Sequence, residues 1–267
     1  MSYDNEGSTP FTSTMFYIIQ ENLFREPHYQ VLIDTLDRMG LGYELCRFIP
    51  FVHEIEFKTD RKDVWIFGAV KAAHVAAKYN WTPGSFYNDN HDLEVQLQKY
   101  GRENMLNGDG IIMNIYDPLP EDYVMFFARP TTDTKEFSGQ VFMNYSWNEW
   151  VESTKEIIST DTRVLVAPLK DTQQEVRCWV VDGKVVSTSR YKLGSRVCYE
   201  NYDHEQGFTD FAQKMVDIYQ PAKAFVIDIC LYNDEYKIVE INCINCSGFY
   251  HVNMQKLVSS LEEMFPQ

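Results

Sequence analysis

The chain has 267 residues, 45% of them hydrophobic and 15% aromatic, so it can bury a real core and is not a disordered segment. Its formal charge is −15, from 24 Lys and Arg against 39 Asp and Glu, and nucleic-acid phosphates would repel so acidic a surface. No apolar run approaches a membrane span, and the six scattered cysteines form no secreted disulfide framework, so a soluble cytoplasmic protein is expected.

The first residues, MSYDNEGSTPFTST, read as an acidic polar tail rather than a signal peptide. A strand is expected at 15–20 and a helix at 29–39, where Val31, Leu32, Leu36 and Met39 keep helical spacing and Gly40 stops it. Strands at 43–49 and 63–67 follow, and Gly68 turns the second into a helix at 69–79. That alternation predicts a small parallel α/β unit. The segment 81–90, rich in Pro, Gly and Asn, reads as a linker, which places a boundary near residue 85 between units 1–84 and 85–267.

In the second unit Asp92 opens a helix to about Tyr100, and Gly108-Asp109-Gly110 turns into a strand at 111–116. A strand at 123–129 ends at Arg129-Pro130, because proline has no N–H to donate. The polar loop 131–139 and another strand at 140–143 complete the layout of a flap over phosphates. Arg129 and Lys135 are cations able to face a triphosphate, or else surface charges paired with Asp133 and Glu136. A helix is expected at 148–158 with Trp150, Val151, Ile157 and Ile158 inward, then a strand at 163–169.

Asp182-Gly183, between Val180-Val181 and Val185-Val186, marks a hairpin over 175–192. Strict pairing about that turn sets Glu175 opposite Arg190 and Arg177 opposite Thr188, all on one face. This is either a plain cross-strand ion pair or a cationic patch for a γ-phosphate or acyl-phosphate. A helix at 208–219 leads to a second hairpin, AFVIDICLYNDEYKIVEINCINCSGFY, over 224–250. Pairing about Asp234 puts Asp228 opposite Glu240, with Asn242 on the same face and Ile227, Ile229, Val239 and Ile241 on the other. Two carboxylates about 5 Å apart repel by roughly 3 kcal/mol at an effective dielectric near 20. A proton or a cation must offset that, and three oxygen donors without an imidazole suit Mg²⁺ or Mn²⁺. An exposed hairpin face carrying ordinary acids is the plain alternative. Asn245 and Ser247, at the hairpin mouth, are candidates to hold a phosphate or a second substrate. Cys243-x-x-Cys246 lacks a second ligand pair for zinc; it follows a strand as a redox CxxC does, but packing of small thiols is the simpler expectation. A last helix is expected at 252–264.

Asp228, Glu240-Ile241-Asn242 and Cys246-Ser247-Gly248-Phe249 together resemble the last motif of the ATP-grasp enzymes, in which a strand Asp and a Glu-x-Asn hold magnesium beneath the ATP phosphates. The string from Glu175 to Lys184 resembles the matching ATP-grasp hairpin. It also resembles an ATP-grasp chaperone that assembles a translation initiation factor. Arg129-Pro130 stands where Lys-Pro and a Gly-rich loop are usual, which is similar to divergent Arg-for-Lys branches, many of them viral or bacterial. The resemblance implies an ATP-grasp fold of two lobes (α/β, or α+β) behind a small parallel α/β domain. It implies ATP and Mg²⁺ or Mn²⁺ as cofactors, held by Asp228, Glu240 and Asn242. The nucleotide would meet Arg129 and Lys135, the backbone of Ala167 and Leu169 at the adenine edge, and Glu175 at the ribose, with Asn245 and Ser247 nearby. Arg177 and Arg190 would serve the reacting phosphate. The activity implied is carboxylate–amine ligation through an acyl-phosphate on a small molecule or peptide; an assembly factor that only binds ATP is the other reading.

Overall fold

The computed structural model describes residues 15–21, 29–49, 52, 54–120, 122–133 and 136–265. In chain order the strands are β1 (Phe16–Gln20), β2 (Tyr43–Cys46), β3 (Asp63–Phe67), β4 (Thr82–Gly84), β5 (Ile111–Asn114), β6 (Met125–Pro130), β7 (Gln140–Met143), β8 (Arg163–Pro168), β9 (Gln174–Val181), β10 (Lys184–Leu193), β11 (Arg196–Asn201), β12 (Ala224–Tyr232) and β13 (Glu235–Cys243). The α-helices are α1 (Gln30–Met39), α2 (Lys71–Tyr79), α3 (Leu93–Tyr100), α4 (Asn144–Ser153), α5 (Gln206–Ile218) and α6 (Met254–Met264). They build three sheets: a parallel N-terminal sheet β2-β1-β3-β4, an antiparallel flap sheet β5-β8-β6-β7, and an antiparallel central sheet β11-β10-β9-β12-β13. This is the two-lobed α/β architecture, behind a parallel sheet, that the sequence predicts. Among the described residues no helix is long and apolar enough to cross a membrane.

Helix α1 shows how local chemistry sets the elements. Leu32, Ile33, Thr35 and Leu36 turn inward, and Gly40 closes the helix with a left-handed φ of 68°. Two segments depart from expectation. The stretch read as a linker contains β4, which pairs parallel to β3 and extends the N-terminal sheet. Helix α4 starts and stops earlier than 148–158. Its phase is set by Trp147 and Val151, which are buried, with Trp147 edge-on to Phe126 and Phe142. The Thr154 hydroxyl then donates to the carbonyls of Trp150 and Val151 and ends it, leaving Ile157 81% exposed.

The N-terminal sheet shares one core with the central sheet. Tyr17, Trp65 and Phe67 pack in the same cluster as Trp179, Val226, Phe249 and the inner face of α6. The joint is Asn245. Its Nδ2 donates to the carbonyls of Ile66 (2.7 Å) and Gly84 (3.3 Å), its Oδ1 accepts from the Phe86 N–H (2.9 Å), and its own carbonyl accepts from the Gly68 N–H (2.8 Å). Ser247 Oγ donates to the Cys243 carbonyl at 2.8 Å. Both side chains are buried and spent on the backbone. The expectation that they hold a phosphate is therefore corrected: Asn245 fastens the central sheet to the N-terminal one, and Ser247 closes the turn at the end of β13. Asn245→Ala leaves a buried N–H and carbonyls without partners, so a loss of about 2–4 kcal/mol is expected in denaturant unfolding; a midpoint equal to that of the unaltered protein would count against the joint.

Candidate active site

The last hairpin turns at Asn233-Asp234, whose φ values of 50° and 62° match a two-residue turn. Next to the turn Tyr232 faces Glu235, a register that would set Asp228 against Val239. A bulge between Asp228 and Ile229 shifts the ladder by one, so Asp228 faces Glu240. Ile238 and Ile241 are both fully buried although three residues apart, which strict alternation forbids. Val239 is the extra residue. It lines the cleft rather than the core face expected for it, and Ile238 fills the core.

The cleft has a volume of about 380 Å³ and lies between the central sheet and the flap sheet. Its floor carries Glu175 and Arg177 from β9, Tyr191 from β10, Asp228 from β12, Glu240 from β13, and Tyr250. Its roof carries Phe127 and Arg129 from β6, and Gly139. A Cβ on Gly139 would stand 2.7 Å from the Phe127 ring and 3.2 Å from Arg129 Cβ, so glycine lets the flap loop lie close against β6.

Each acid on this floor meets a cation. Arg177 donates from Nε to Asp228 Oδ1 (2.9 Å) and from Nη2 to Oδ2 (2.8 Å), a planar fork, and from Nη1 to the Gly248 carbonyl (3.1 Å). Its guanidinium lies 4.7 Å from the Tyr250 ring centroid. Burial alone would lower the Arg177 pKa; the adjoining Asp228 carboxylate more than offsets that and holds the guanidinium protonated. Burial raises the Asp228 carboxyl, with Arg177 pulling the other way. Arg129 Nη1 donates to Glu240 Oε2 across the cleft at 2.9 Å, and Asn242 Nδ2 donates to Glu240 Oε1 at 2.8 Å. Lys192 Nζ donates to Glu175 Oε1 at 2.6 Å and to Thr172 Oγ1 at 3.1 Å.

Arg190 is not on this floor. The first hairpin carries two register shifts, between Val185 and Ser187 and between Arg190 and Lys192. Glu175 therefore faces Lys192, Arg177 faces Ser189, and Arg190 faces Val176 on the opposite side of the sheet. There it pairs with Glu200 at 2.7 Å and covers the Tyr202 ring at 4.7 Å. The phosphate role expected of Arg190 is withdrawn. Lys192 is the cation that sequence reasoning missed, and no residue type in β10 marks the bulge. Tyr250, also missed, stands in a loop with a left-handed φ of 49°. Ala167 is buried in β8 opposite Phe127, and Leu169 follows where the chain crosses toward β9. Lys135 lies outside the described residues.

The donors suit a hard cation only with outside help. Among the described residues no three His, Cys, Asp or Glu side chains converge as a ready-made metal cage. Two carboxylates and an amide do share the face, and Mg²⁺ commonly completes such a partial set with substrate phosphates and water. The residues present thus fit Mg²⁺, which Glu240, Asn242 and Asp228 would hold with help from substrate oxygens.

The Arg177–Asp228 pair gives a direct expectation. Arg177→Met leaves a buried carboxylate unpaired and should cost about 3–5 kcal/mol in denaturant unfolding, while Arg177→Met with Asp228→Leu should recover most of it. Equal destabilisation by the single and double variants would contradict the pairing.

A family model for an ATP-grasp domain, the third family of its clade, matches residues 40–261. No curated protein sequence matches the chain. Among solved structures, that of the D-cycloserine synthetase DcsG is 10% identical, with a TM-score of 0.61 over 93% of this chain and 99% of that one. The D-alanine–D-alanine ligase from Bacillus anthracis complexed with ATP is 13% identical, with a TM-score of 0.61 over 94% and 96% of the two chains. The ATP-grasp ligase PsnB, complexed with a variant of its minimal precursor, Mg and ADP, is 12% identical, with a TM-score of 0.56 over 94% and 98%. At these identities the likeness is one of fold.

Proposed function

Because the chain belongs to the ATP-grasp domain family whose model spans most of its length, we propose that it is an ATP-dependent carboxylate–amine ligase working through an acyl-phosphate. The observation that carries this reading is the pairing of acids on the central sheet with cations, one of which reaches across from the flap. Relatives of the same fold have been captured with ATP or with Mg and ADP in place.

In this reading a substrate carboxylate attacks the γ-phosphorus of ATP, ADP leaves, and an amine then displaces phosphate from the acyl-phosphate. Such chemistry needs placement and charge stabilisation more than a protein nucleophile. Arg129 is placed to hand its N–H groups from Glu240 to a phosphate, because both stand at the cleft wall and the Glu240 side chain is 29% exposed. Arg177 stays in its fork and fixes the Asp228 carboxylate. Glu175, steadied by Lys192 and Thr172, is placed for ribose hydroxyls. When bound, Mg²⁺ at Asp228, Glu240 and Asn242 supplies neutralisation of phosphate charge. The backbone of Ala167 and Leu169 is assigned the adenine edge, on its position at the crossing between the sheets. Lys135 is kept as a second phosphate cation on its place in the flap loop sequence.

The same reading divides the chain into units 1–84 and 85–267, supported by β4 closing the N-terminal sheet at Gly84. It places the protein in the cytoplasm, where ATP is abundant and thiols such as Cys246 stay reduced. The test is calorimetric titration with ADP and Mg²⁺, followed by ADP release from ATP with pooled carboxylates and amines. Mg-dependent binding, at least about tenfold weaker in Glu240→Ala, and release that requires both added substrates are expected. Unchanged Mg-ADP affinity in Glu240→Ala would remove the metal assignment, and binding without substrate-dependent release would remove the ligase.

A further inference from the structure

The two edges of the central sheet are finished differently. At β13 the edge is covered by Met105 and Leu106, which pair with Ile238. At the other end the sheet stops at β11, and among the described residues no strand lies beyond it. No residue of β11, Arg196-Val197-Cys198-Tyr199-Glu200-Asn201, is fully buried, and Val197 is 72% exposed. Helices α5 and α6 pack on β9 and β10, back from this edge. The strand alternates regularly: Tyr199 turns to Tyr250 on the cleft side, and Glu200 turns to Arg190 on the other. The Tyr202 N–H goes to the Thr188 carbonyl of β10, so the backbone groups of Val197, Tyr199 and Asn201 run outward in the plane of the sheet.

An edge of this kind accepts another strand, and the sequence of β11 matches its own copy in one register. A two-fold ladder pairs residues whose backbone groups both run outward, so its axis passes through one residue of β11 and the same residue of the copy. With Cys198 on the axis, Val197 faces Tyr199 of the second copy and Arg196 faces Glu200 of the second copy. Opposite charges then meet twice across the axis. Moving the axis to Val197 sets Arg196 against Cys198, and moving it to Tyr199 sets Arg196 against Tyr202; both registers lose the two charge pairs. Arg196 is exposed and makes no ion pair among the described residues. Glu200 holds Arg190 at 2.7 Å through Oε1, which leaves Oε2, beside the Cys198 thiol at 4.0 Å, for a second guanidinium.

We propose that β11 is a homodimer interface: two copies of the chain join their central sheets edge to edge, antiparallel, with Cys198 of each copy on the two-fold axis. The Tyr199 ring keeps its stack on Tyr250, because the stack lies on a face of the sheet and the new hydrogen bonds run in its plane. Two chains of charge −15 repel at long range, so association is left to the short-range match. One strand from each copy makes a small interface, and the dimer is accordingly of micromolar strength.

At the axis the two Cys198 residues form a non-hydrogen-bonded pair with Cα atoms about 4.5 Å apart, within reach of a disulfide. The test is sedimentation velocity of the full chain up to about 100 µM, with and without diamide, which takes one hydrogen from each of two thiols and leaves a disulfide. A species of twice 31.3 kDa that grows with concentration is expected, and diamide should trap it as a covalent dimer. Cys198→Ser should abolish the trap and keep the non-covalent dimer. Arg196→Glu sets like charges together twice and should weaken the dimer at least about tenfold, while Arg196→Lys should stay within about threefold. All three variants should keep the far-ultraviolet circular dichroism of the unaltered chain. A chain that stays monomeric leaves the edge to a different partner, and a dimer indifferent to Arg196→Glu joins through another face. Either result would overturn the proposal, as would a dimer that diamide does not trap through Cys198.

Discussion

The structure depends on placing three acids, Glu175, Asp228 and Glu240, on one face of the central sheet, two of them buried in its inner strands β9 and β12. Unmatched, they would repel one another and lose hydration together. Lys192, Arg177 and Arg129 answer them in turn. The three pairs are not equivalent. Arg177–Asp228 is buried, two-pronged and covered by Tyr250, so it acts as a fixed post. Arg129–Glu240 spans two sheets, and its carboxylate reaches solvent, so it is the pair that an incoming polyanion can exchange.

On the ligase reading proposed above, exchange of this kind would account for acids and cations sharing one cleft. There a triphosphate would give Arg129 a better-charged partner, and Glu240 would be left able to hold a metal ion. Neither role would ask for a large movement of the central sheet. That sheet is held rigidly from behind. Asn245 ties the end of β13 to the N-terminal sheet, and Tyr17 donates to Glu262 of α6 at 2.6 Å across the shared core.

Much of this was legible in the sequence because β-strand alternation is a strong signal. Asp228, Glu240 and Asn242 were placed together by their spacing about a polar turn, and the alternating elements announced the parallel sheet. What was hidden has a common physical origin. Bulges shift register by one residue without any distinctive side chain. One at Val239 corrected a small error in the assumed turn and left the acids together. Two in the β9–β10 hairpin exchanged Arg190 for Lys192. Polarity at a loop mouth was equally ambiguous: Asn245 and Ser247 looked like ligand groups, but their hydrogen bonds go to carbonyls and N–H groups that no local pattern reveals. Tyr250 arrives by tertiary packing alone.

The most direct measurement is diffraction from crystals grown with Mn²⁺ and ADP, recorded for anomalous scattering from manganese. The account predicts a manganese peak bridging Glu240 and the nucleotide phosphates, with Arg129 turned from Glu240 to phosphate and the Arg177–Asp228 fork unchanged. A nucleotide bound elsewhere, or an occupied cleft in which Arg129 still holds Glu240 and no manganese lies beside it, would contradict it.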